Sequence, residues 1–533
     1  MEGYKMKYKN KWLGGATLAV AAMMLASCAS DNDTPTNNLP QETVVTEISD
    51  SICDVLAKSS IEEFLAFAKM PRSSFRMERC SAYLTNWAKE HKLEYGIDDS
   101  LNVWIDLPAN TKEMESMPKV ILQAHQDMVC AWKSGETHDP TTEVGEPYYD
   151  GNDLKGKNIN LGADDGIGVG MALAIAKTNV AHGPLRLLFT TNEDCGMYGV
   201  MSLDPQVLDA DYLISFDDED YPKVTTGCQG AYVWTSSKKY ELSNPSGKIV
   251  TLNVTGLLGG HSGATIGEKR LSAATILAKV TKDVITSNGG KLMDIDCGTA
   301  INAIANVLTL QFAVDADKAE NCKSEIENIL ENFKKEFTDE TAIASTCSIA
   351  DAPSTNAATV SAEELLTDLN KYFEDVEQGV VEREGTDGLV IKSGNIGLVK
   401  LSRGELSISS SIRSFKEEWI NSEKTRFSQL ASTLSMELGN EILIPAWDTE
   451  ANDPFIGLVF KNYQAVDNKA YKAKAMGGLE CAYFVKKKPG INTAAMGPTI
   501  KGAHTIDEAL DTTTVKPLMK VVMNTLQQIN TLK

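Results

Sequence analysis

Apolar and polar positions follow two different rhythms along this chain, and the change of rhythm divides it. From residue 49 to residue 95 the spacing is helical: Ile52, Val55 and Leu56, then Ile61, Phe64, Leu65 and Phe67, share one face. SAYLTNWAKEHKL repeats the spacing, so the segment predicts helices that cover one face of a sheet. Strand-like apolar runs come next, in LNVWIDLPA, KVILQAH, INLGADD, LRLLFTT and DYLISF. Helical stretches lie between them, GVGMALAIA running on to Thr178 and a short one around 200–208. That β/α alternation belongs to an open, mostly parallel sheet. The polar, glycine-rich segment 132–157 reads as a surface loop.

After Gly227 the rhythm shortens to two residues. SGKIVTLNVTGL, VLTLQFAV and ELSISSSIRSF alternate as half-buried strands do. Helical patterns separate them in KRLSAATILAKVTKDVI, SAEELLTDLNKYFEDV and KEEWINSEKTRFSQLASTLSMEL. An antiparallel sheet with helices on one face follows. From about residue 446 the first character returns, in stretches such as GPTIKGAHTIDEAL. The expected architecture is therefore an α/β domain built from 48–226 and 446–533, interrupted by an inserted α+β domain over 227–445.

The amino terminus stands apart from both patterns. Lys5, Lys7, Lys9 and Lys11 precede an apolar run from Leu13 to Leu25, too short to span a bilayer comfortably, and Leu25-Ala26-Ser27-Cys28 resembles a bacterial lipobox. Residues 1–28 are expected to be a lipoprotein signal peptide and 29–47 a flexible tether. On that reading the protein sits in the cell envelope, lipid-anchored to a bacterial membrane and meeting it only through the lipid.

Composition narrows the choice of chemistry. The 533 residues exceed one ordinary domain, and 42% hydrophobic with 23% charged residues is usual for a globular protein. A net charge of −22 excludes nucleic acid as the expected partner, because phosphate binding needs a basic footprint. The ten cysteines are scattered without a CxxC pair, so they mark no structural zinc site, and their pairing stays open.

Four of these strand-like runs end in acid–base side chains. KVILQAH leads into His125 and Asp127, INLGADD into Asp164 and Asp165, LRLLFTT into Asn192, Glu193 and Asp194, and DYLISF into Asp217. The carboxyl ends of neighbouring strands open into one crevice. Joined by His504, the set His125, Asp164, Asp194 and Asp217 suits two divalent cations that share one carboxylate. Asp127 is placed to orient the His125 ring, and Glu193 is free to act as general base on a water between the ions for amide hydrolysis. Taken singly these motifs are ordinary: Asp-Asp after a glycine is a common helix N-cap, and Glu-Asp at a strand end is commonly a solvated rim. Their succession along four runs carries the expectation.

Longer stretches then match a known pattern: MPRSSFRMERCSAYLTNWA, LQAHQDMVCAWKSGETHDP, LGADDGIGVGMALAIA, TTNEDCGMYG, GLLGGHSG, SIRSF, GLEC and GPTIKGAHTIDE. From about residue 50 to its end the chain resembles the aminoacyl-histidine dipeptidases (Xaa-His, carnosine-hydrolysing), a branch of the dinuclear-metal peptidases that includes aminoacylases and glutamate carboxypeptidases. The resemblance implies a zinc-peptidase-like catalytic domain with a lid domain inserted in it. It places Asp194 and His504 on one metal, His125 and Asp217 on the other, Asp164 on the bridge, Glu193 as base and Asp127 as the orienting carboxylate. His261 falls on a lid histidine that polarises the scissile carbonyl, often across a dimer, and Arg413 on a contact to the substrate carboxylate.

The chain also departs from the family. Asn192-Glu193-Asp194 stands where Asp-Glu-Glu is usual, Met476 or Gly477 where a histidine is common, and NAIAN where NAIPR is usual, with Asn302 as a substrate contact. The implied protein is a metal-dependent dipeptidase acting on Xaa-His or a broad range of Xaa-Xaa dipeptides. Its cofactors are two divalent ions, zinc with manganese or cobalt as alternatives. An N-acyl amino acid deacylase of the same family and a non-catalytic peptide-binding lipoprotein are the competing readings. A homodimer is left open.

Overall fold

The structure is a computed structural model that describes residues 44–352, 359–360, 362–385, 388–450 and 452–532. The expected signal peptide and most of the expected tether lie outside the described residues. Of the tether, 44–47 are described, and Val45 bridges to Val180, its N–H donating to the Asn179 carbonyl at 3.1 Å.

Strand Val120–His125 runs through a nine-stranded mixed sheet, between Leu185–Thr190 and Tyr212–Ser215, both parallel to it. All six of its residues are buried. Val120, Leu122 and Ala124 join the hydrophobic layer on one face and Ile121 the layer on the other, so apolar side chains go to both faces instead of to one. One edge is finished by the antiparallel strands Val103–Leu107 and Glu94–Ile97. On the other side Asn492–Ala495 adds in parallel to Tyr212–Ser215, bringing the end of the chain beside its first half. Helices Asp50–Phe67, Ala163–Lys177, Pro454–Val466 and Val515–Gln528 cover one face, and Glu480–Lys487 packs on the other.

The second large sheet is antiparallel throughout and is built from strands between Gly230 and Ile444. Its inward positions, among them Val250, Leu252, Leu310, Phe312, Val399 and Ile408, form one core with helices Ala273–Val280, Ala319–Glu336, Ala362–Asp375 and Glu417–Thr433. Trp234 is stacked between Tyr232 and Phe427, with ring centroids 4.9 and 4.3 Å away. The molecule is thus a mixed α/β fold with two sheets of different character.

The chain crosses between the sheets twice, and the crossings run side by side. Strand Lys223–Cys228 passes through Gln229 into Gly230–Lys239. The return strands pair with these same two: Glu437–Ile444 with Gly230–Lys239, and Trp447–Asp448 with Lys223–Cys228, both antiparallel. Fully buried Gln229 ties the bend down, its N–H donating to the Ala475 carbonyl at 3.1 Å and its Nε2 to the Val390 carbonyl at 2.8 Å.

Two expectations are corrected. INLGADD is not a strand: Ile159 makes only an isolated bridge to Trp132, and the run enters helix Ala163–Lys177 directly. Segment 132–157 is not only a loop, since Glu146–Asp150 and Asp153–Lys157 form a hairpin within a four-stranded sheet. The reason is long-range, because Asp153–Lys157 pairs with Ala509–Asp511, more than 350 residues later, and buries Leu154 in the main hydrophobic core.

Helix Ala163–Lys177 approaches helix Asp50–Phe67 closely at Gly170, where an added Cβ would lie 2.4 Å from the Ser60 carbonyl oxygen and 2.8 Å from the Phe64 nitrogen. Backbone cannot yield as a side chain can. Gly170→Ala is therefore expected to destabilise the fold by about 1–3 kcal/mol in denaturant unfolding despite alanine's higher helix propensity. An unchanged or raised midpoint would contradict this packing.

Candidate metal centre

His125 is the last residue of its buried strand and is fully buried itself. Its Nδ1 lies 3.2 Å from the Asp127 carbonyl oxygen and 3.6 Å from Asp127 Oδ1. Nδ1–H as donor to that carbonyl leaves Nε2 to face the crevice. There Nε2 is 3.1 Å from Asp164 Oδ1. Asp164 Oδ2 is in turn 3.0 Å from His504 Nε2, so one carboxylate stands between two imidazoles. His504 Nε2 also lies 2.8 Å from Asp194 Oδ1.

Three groups of potential ligand atoms lie within 4.8 Å of one another: His125, Asp164 and Asp217; Asp164, Asp194 and His504; and His125, Glu193 and Asp194. The first two share Asp164, the arrangement a pair of bridged cations needs. All five candidate ligands thus meet, with Glu193 beside them.

Two observations test whether cations fit. Tetrahedral bonds of about 2.0–2.1 Å put donor atoms about 3.3 Å apart, and the imidazole–carboxylate separations of 2.8–3.1 Å are close to that. Both carboxylate oxygens of Asp194 are buried without a hydrogen-bond partner, the His504 approach not being aligned as a hydrogen bond. Buried acceptors left that way are costly unless a cation takes them.

Electrostatics point the same way. Burial, then the charges of Asp164 and Asp194 acting against that of His125, push Asp217 up to about 7. Burial and the neighbouring Asp217 raise Glu193 well above the ordinary carboxylate range. The carboxylates of Asp164 and Asp194 beside its Nε2 lift His504 to about 11. Burial alone would lower His125, but the hydrogen bonds to Asp127 and Asp164 outweigh it and raise it well above its usual value. The crevice holds more negative charge than two imidazoles balance.

The supporting residues are less visible in the sequence. Arg72, 1% exposed, donates from Nη1 to the carbonyls of Gln126 and Asp127 at 3.3 and 3.1 Å, and from Nη2 to those of Leu161 and Gly162. One guanidinium thus fastens the His125–Asp127 turn to the loop before Asp164. Gly162, at φ +69, allows that approach, since an added Cβ would run into the Arg72 guanidinium, 3.0 Å from its Cζ, as well as Met128 Sδ. Glu508 holds the loop from the other side, accepting from Gly162 N–H at 2.6 Å and Asp164 N–H at 3.4 Å. Asp164 and Asp165, joined by a cis peptide bond, keep non-helical backbone inside the helix start. Asp127 accepts from Ser74 Oγ at 2.8 Å and from Glu193 N–H at 3.0 Å, which fixes the base relative to the His125 turn. Under the site lies buried Glu480, accepting from Gln123 Nε2 at 2.7 Å and Thr190 Oγ1 at 2.5 Å, its carboxyl pushed up to about 8 by burial. Arg72, Glu480 and Glu508 all sit in stretches singled out above, MPRSSFRMERC, GLEC and GAHTIDE, but their partners are distant groups that no local pattern names.

The remaining candidates form a second group, Arg413 on the antiparallel sheet and His261 and Asn302 on loops outside its strands. Arg413, in strand Glu405–Ser414, is buried with Nε unpartnered, and burial lowers it to about 10. No carboxylate pairs with it among the described residues. His261 Nδ1 accepts the N–H groups of Gly263 and Ala264 at 3.2 and 3.1 Å, so its proton resides on Nε2. Burial, and then the charge of Arg413, lower its pKa, keeping the ring neutral and a donor. Asn302 is exposed beside it, its carbonyl accepting from Ser262 N–H at 2.9 Å. Among the described residues, no hydrogen bond or ion pair joins this group to the metal ligands.

Comparison with known proteins follows the same lines. The family described as Peptidase family M20/M25/M40 matches residues 121–528. The "Cytosol non-specific dipeptidase" of Escherichia coli is 31% identical over 471 residues, covering 87% of this chain and 96% of its own. The crystal structure of an aminoacylhistidine dipeptidase from Vibrio alginolyticus superposes with a TM-score of 0.76 at 26% identity, covering 88% of this chain and 96% of that one. These matches correct the expected envelope location and lipid anchor, since the Escherichia coli relative is a protein of the cytosol. Among the described residues no helix is long and apolar enough to cross a membrane.

Glu508 offers a test of the loop support. Glu508→Ala removes the acceptor for Gly162 and Asp164 and is expected to weaken metal binding about 10–100-fold, as loss of groups that orient ligands does. Titration of the metal-free protein with Zn²⁺ measures it, and undiminished affinity would refute the role.

Proposed function

The chain belongs to the M20/M25/M40 peptidase family, and on that premise we propose that it is a dinuclear metallodipeptidase that cleaves Xaa-His within a broad range of Xaa-Xaa dipeptides. The observation that carries this reading is Asp164, shared between His125 and His504, with Asp217 and Asp194 on either side. His125 and Asp217 would hold one ion, His504 and Asp194 the other, and Asp164 both. Zinc suits this donor set first, with manganese and cobalt as alternatives. When bound, the two ions supply Lewis acidity and bring the pKa of a water towards neutrality.

The residues of the chain do the rest. Glu193 removes a proton from the attacking water and returns it to the leaving amine, so the peptide bond breaks with no net proton consumed. Its raised pKa suits a group that must both take and give a proton. Asp127 keeps the His125 ring in one orientation and, through the Glu193 N–H, the base in register with it. Arg413, buried and without an acidic partner, is assigned to the substrate carboxylate, which a guanidinium can grip with two hydrogen bonds. The Nε2–H of His261 is assigned to the scissile carbonyl, with Asn302 beside it as a further substrate contact.

In this proposal 48–226 and 446–533 form the catalytic domain and 227–445 the lid. The absence of a hydrogen bond or ion pair between His261 and the metal ligands, among the described residues, fits either a lid closing within one chain or a homodimer. Native mass determination separates those two.

The central test pairs Glu193→Gln with metal analysis. The variant is expected to retain two metal ions per chain and to lose on the order of 10²–10⁴-fold in kcat on a panel of dipeptides that includes carnosine, with N-acyl amino acids as controls. Chelation should abolish wild-type activity and Zn²⁺ restore it. Full activity in the variant would exclude Glu193 as base, and activity confined to N-acyl amino acids would overturn the dipeptidase reading.

A further inference from the structure

Two large aromatic side chains stand exposed next to the base, and folding does not account for them. Phe75 is 62% and Tyr198 49% exposed, and neither belongs to a hydrophobic core cluster. They pack on each other, with ring centroids 5.6 Å apart and planes at 48°. Phe75 moreover has a left-handed backbone, φ +65, which is unfavourable for a bulky residue. An exposed phenylalanine held in such a conformation gains the fold little by burial.

Its position is set by the catalytic loops. Ser74, the preceding residue, donates to Asp127 Oδ2 at 2.8 Å. The Phe75 N–H donates to Asn192 Oδ1 at 2.5 Å, and Asn192, itself at φ +55, immediately precedes Glu193. Tyr198 N–H donates to the Asn192 carbonyl at 3.1 Å, just after Met197 at φ +60. Phe75, Asn192, Met197 and His504 are four of the ten non-glycine left-handed residues in the described structure, so backbone strain concentrates around this one site. The fixed point of the arrangement is Asn192, which positions both rings relative to the base.

We propose that Phe75 and Tyr198 form an apolar wall that binds the side chain of the amino-terminal residue of the dipeptide, making the enzyme prefer large apolar or aromatic residues there. The inference rests on the dipeptidase reading above. It assigns this end of the substrate because Arg413, assigned to the carboxylate, lies on the other sheet, whereas the backbone of both aromatic residues is tied to Asn192, next to Glu193, and Ser74 is tied to Asp127.

Steady-state kinetics of the metal-loaded full chain test it, with Phe75→Ala, Phe75→Leu and Tyr198→Ala as variants. The ratio of kcat/KM for Phe-Gly over Ala-Gly is expected to fall on the order of tenfold in Phe75→Ala, mostly through KM, from loss of an aromatic contact. Phe75→Leu should keep more of that ratio, Tyr198→Ala should lower it too, and the ratio for Gly-Phe over Gly-Ala should not move. An equal loss on every dipeptide, no change in the first ratio, or a change only in the second would overturn the proposal. Thermal unfolding identifies a variant that does not fold. If Phe75→Ala fails, Tyr198→Ala carries the test alone, because its half-exposed ring lies outside the core. A wild-type protein that cleaves none of these dipeptides defeats the dipeptidase reading; one that cleaves them with selectivity unaltered in the variants defeats only this inference.

Discussion

A single carboxylate, Asp164, held between the Nε2 atoms of His125 and His504, joins parts of the chain that are 340 residues apart. Around it stand buried Asp127, Asp165 and Glu480 and half-buried Asp217 and Glu193, far more acid than the two imidazoles can neutralise. Unpaired buried charge is among the costliest things a fold can contain. The arrangement is sensible only if cations complete it, and the surrounding architecture serves to hold these acids together without them.

That holding is done largely by side chains acting on backbone. Arg72 binds four carbonyl groups on two loops, and Glu508 takes N–H groups of the Asp164 loop from the opposite side. Side chains that clamp main chain fix where neighbouring residues sit whatever those residues are, which leaves the ligand side chains free to be chosen for chemistry. The left-handed backbone at Asn192 and His504 shows the same priority, position being kept at some cost in conformational energy.

The sequence was most informative where local pattern and burial coincide. The strands ending at His125, Thr190 and Ser215 carry apolar side chains to both faces because both faces are covered, and the acid–base residues follow within two to four positions of their ends, where the sheet stops. The two-residue rhythm of Lys248–Thr255 and Leu308–Val314 is legible for the converse reason, as only one face is packed. Pattern was misleading where long-range pairing decides. Asp153–Lys157 is a strand by virtue of Ala509–Asp511, and Ile159 and Leu161 are buried although neither belongs to a strand. Arg72 and Glu508 were illegible as supports because their partners are main-chain atoms far along the chain, and Phe75 because exposure and backbone angle leave no trace in composition.

The two adjacent crossings between the sheets constrain how the molecule can move. Lys223–Cys228 with Trp447–Asp448, continuing into Gly230–Lys239 with Glu437–Ile444, makes a two-stranded ribbon that enters one sheet and leaves the other. Such a ribbon flexes readily out of its own plane, whereas sliding one strand along the other would break the ladder between them. In a lid movement of the kind proposed above, this ribbon is the covalent strap about which the layers would turn, and Arg413 and His261 would travel together with the antiparallel sheet.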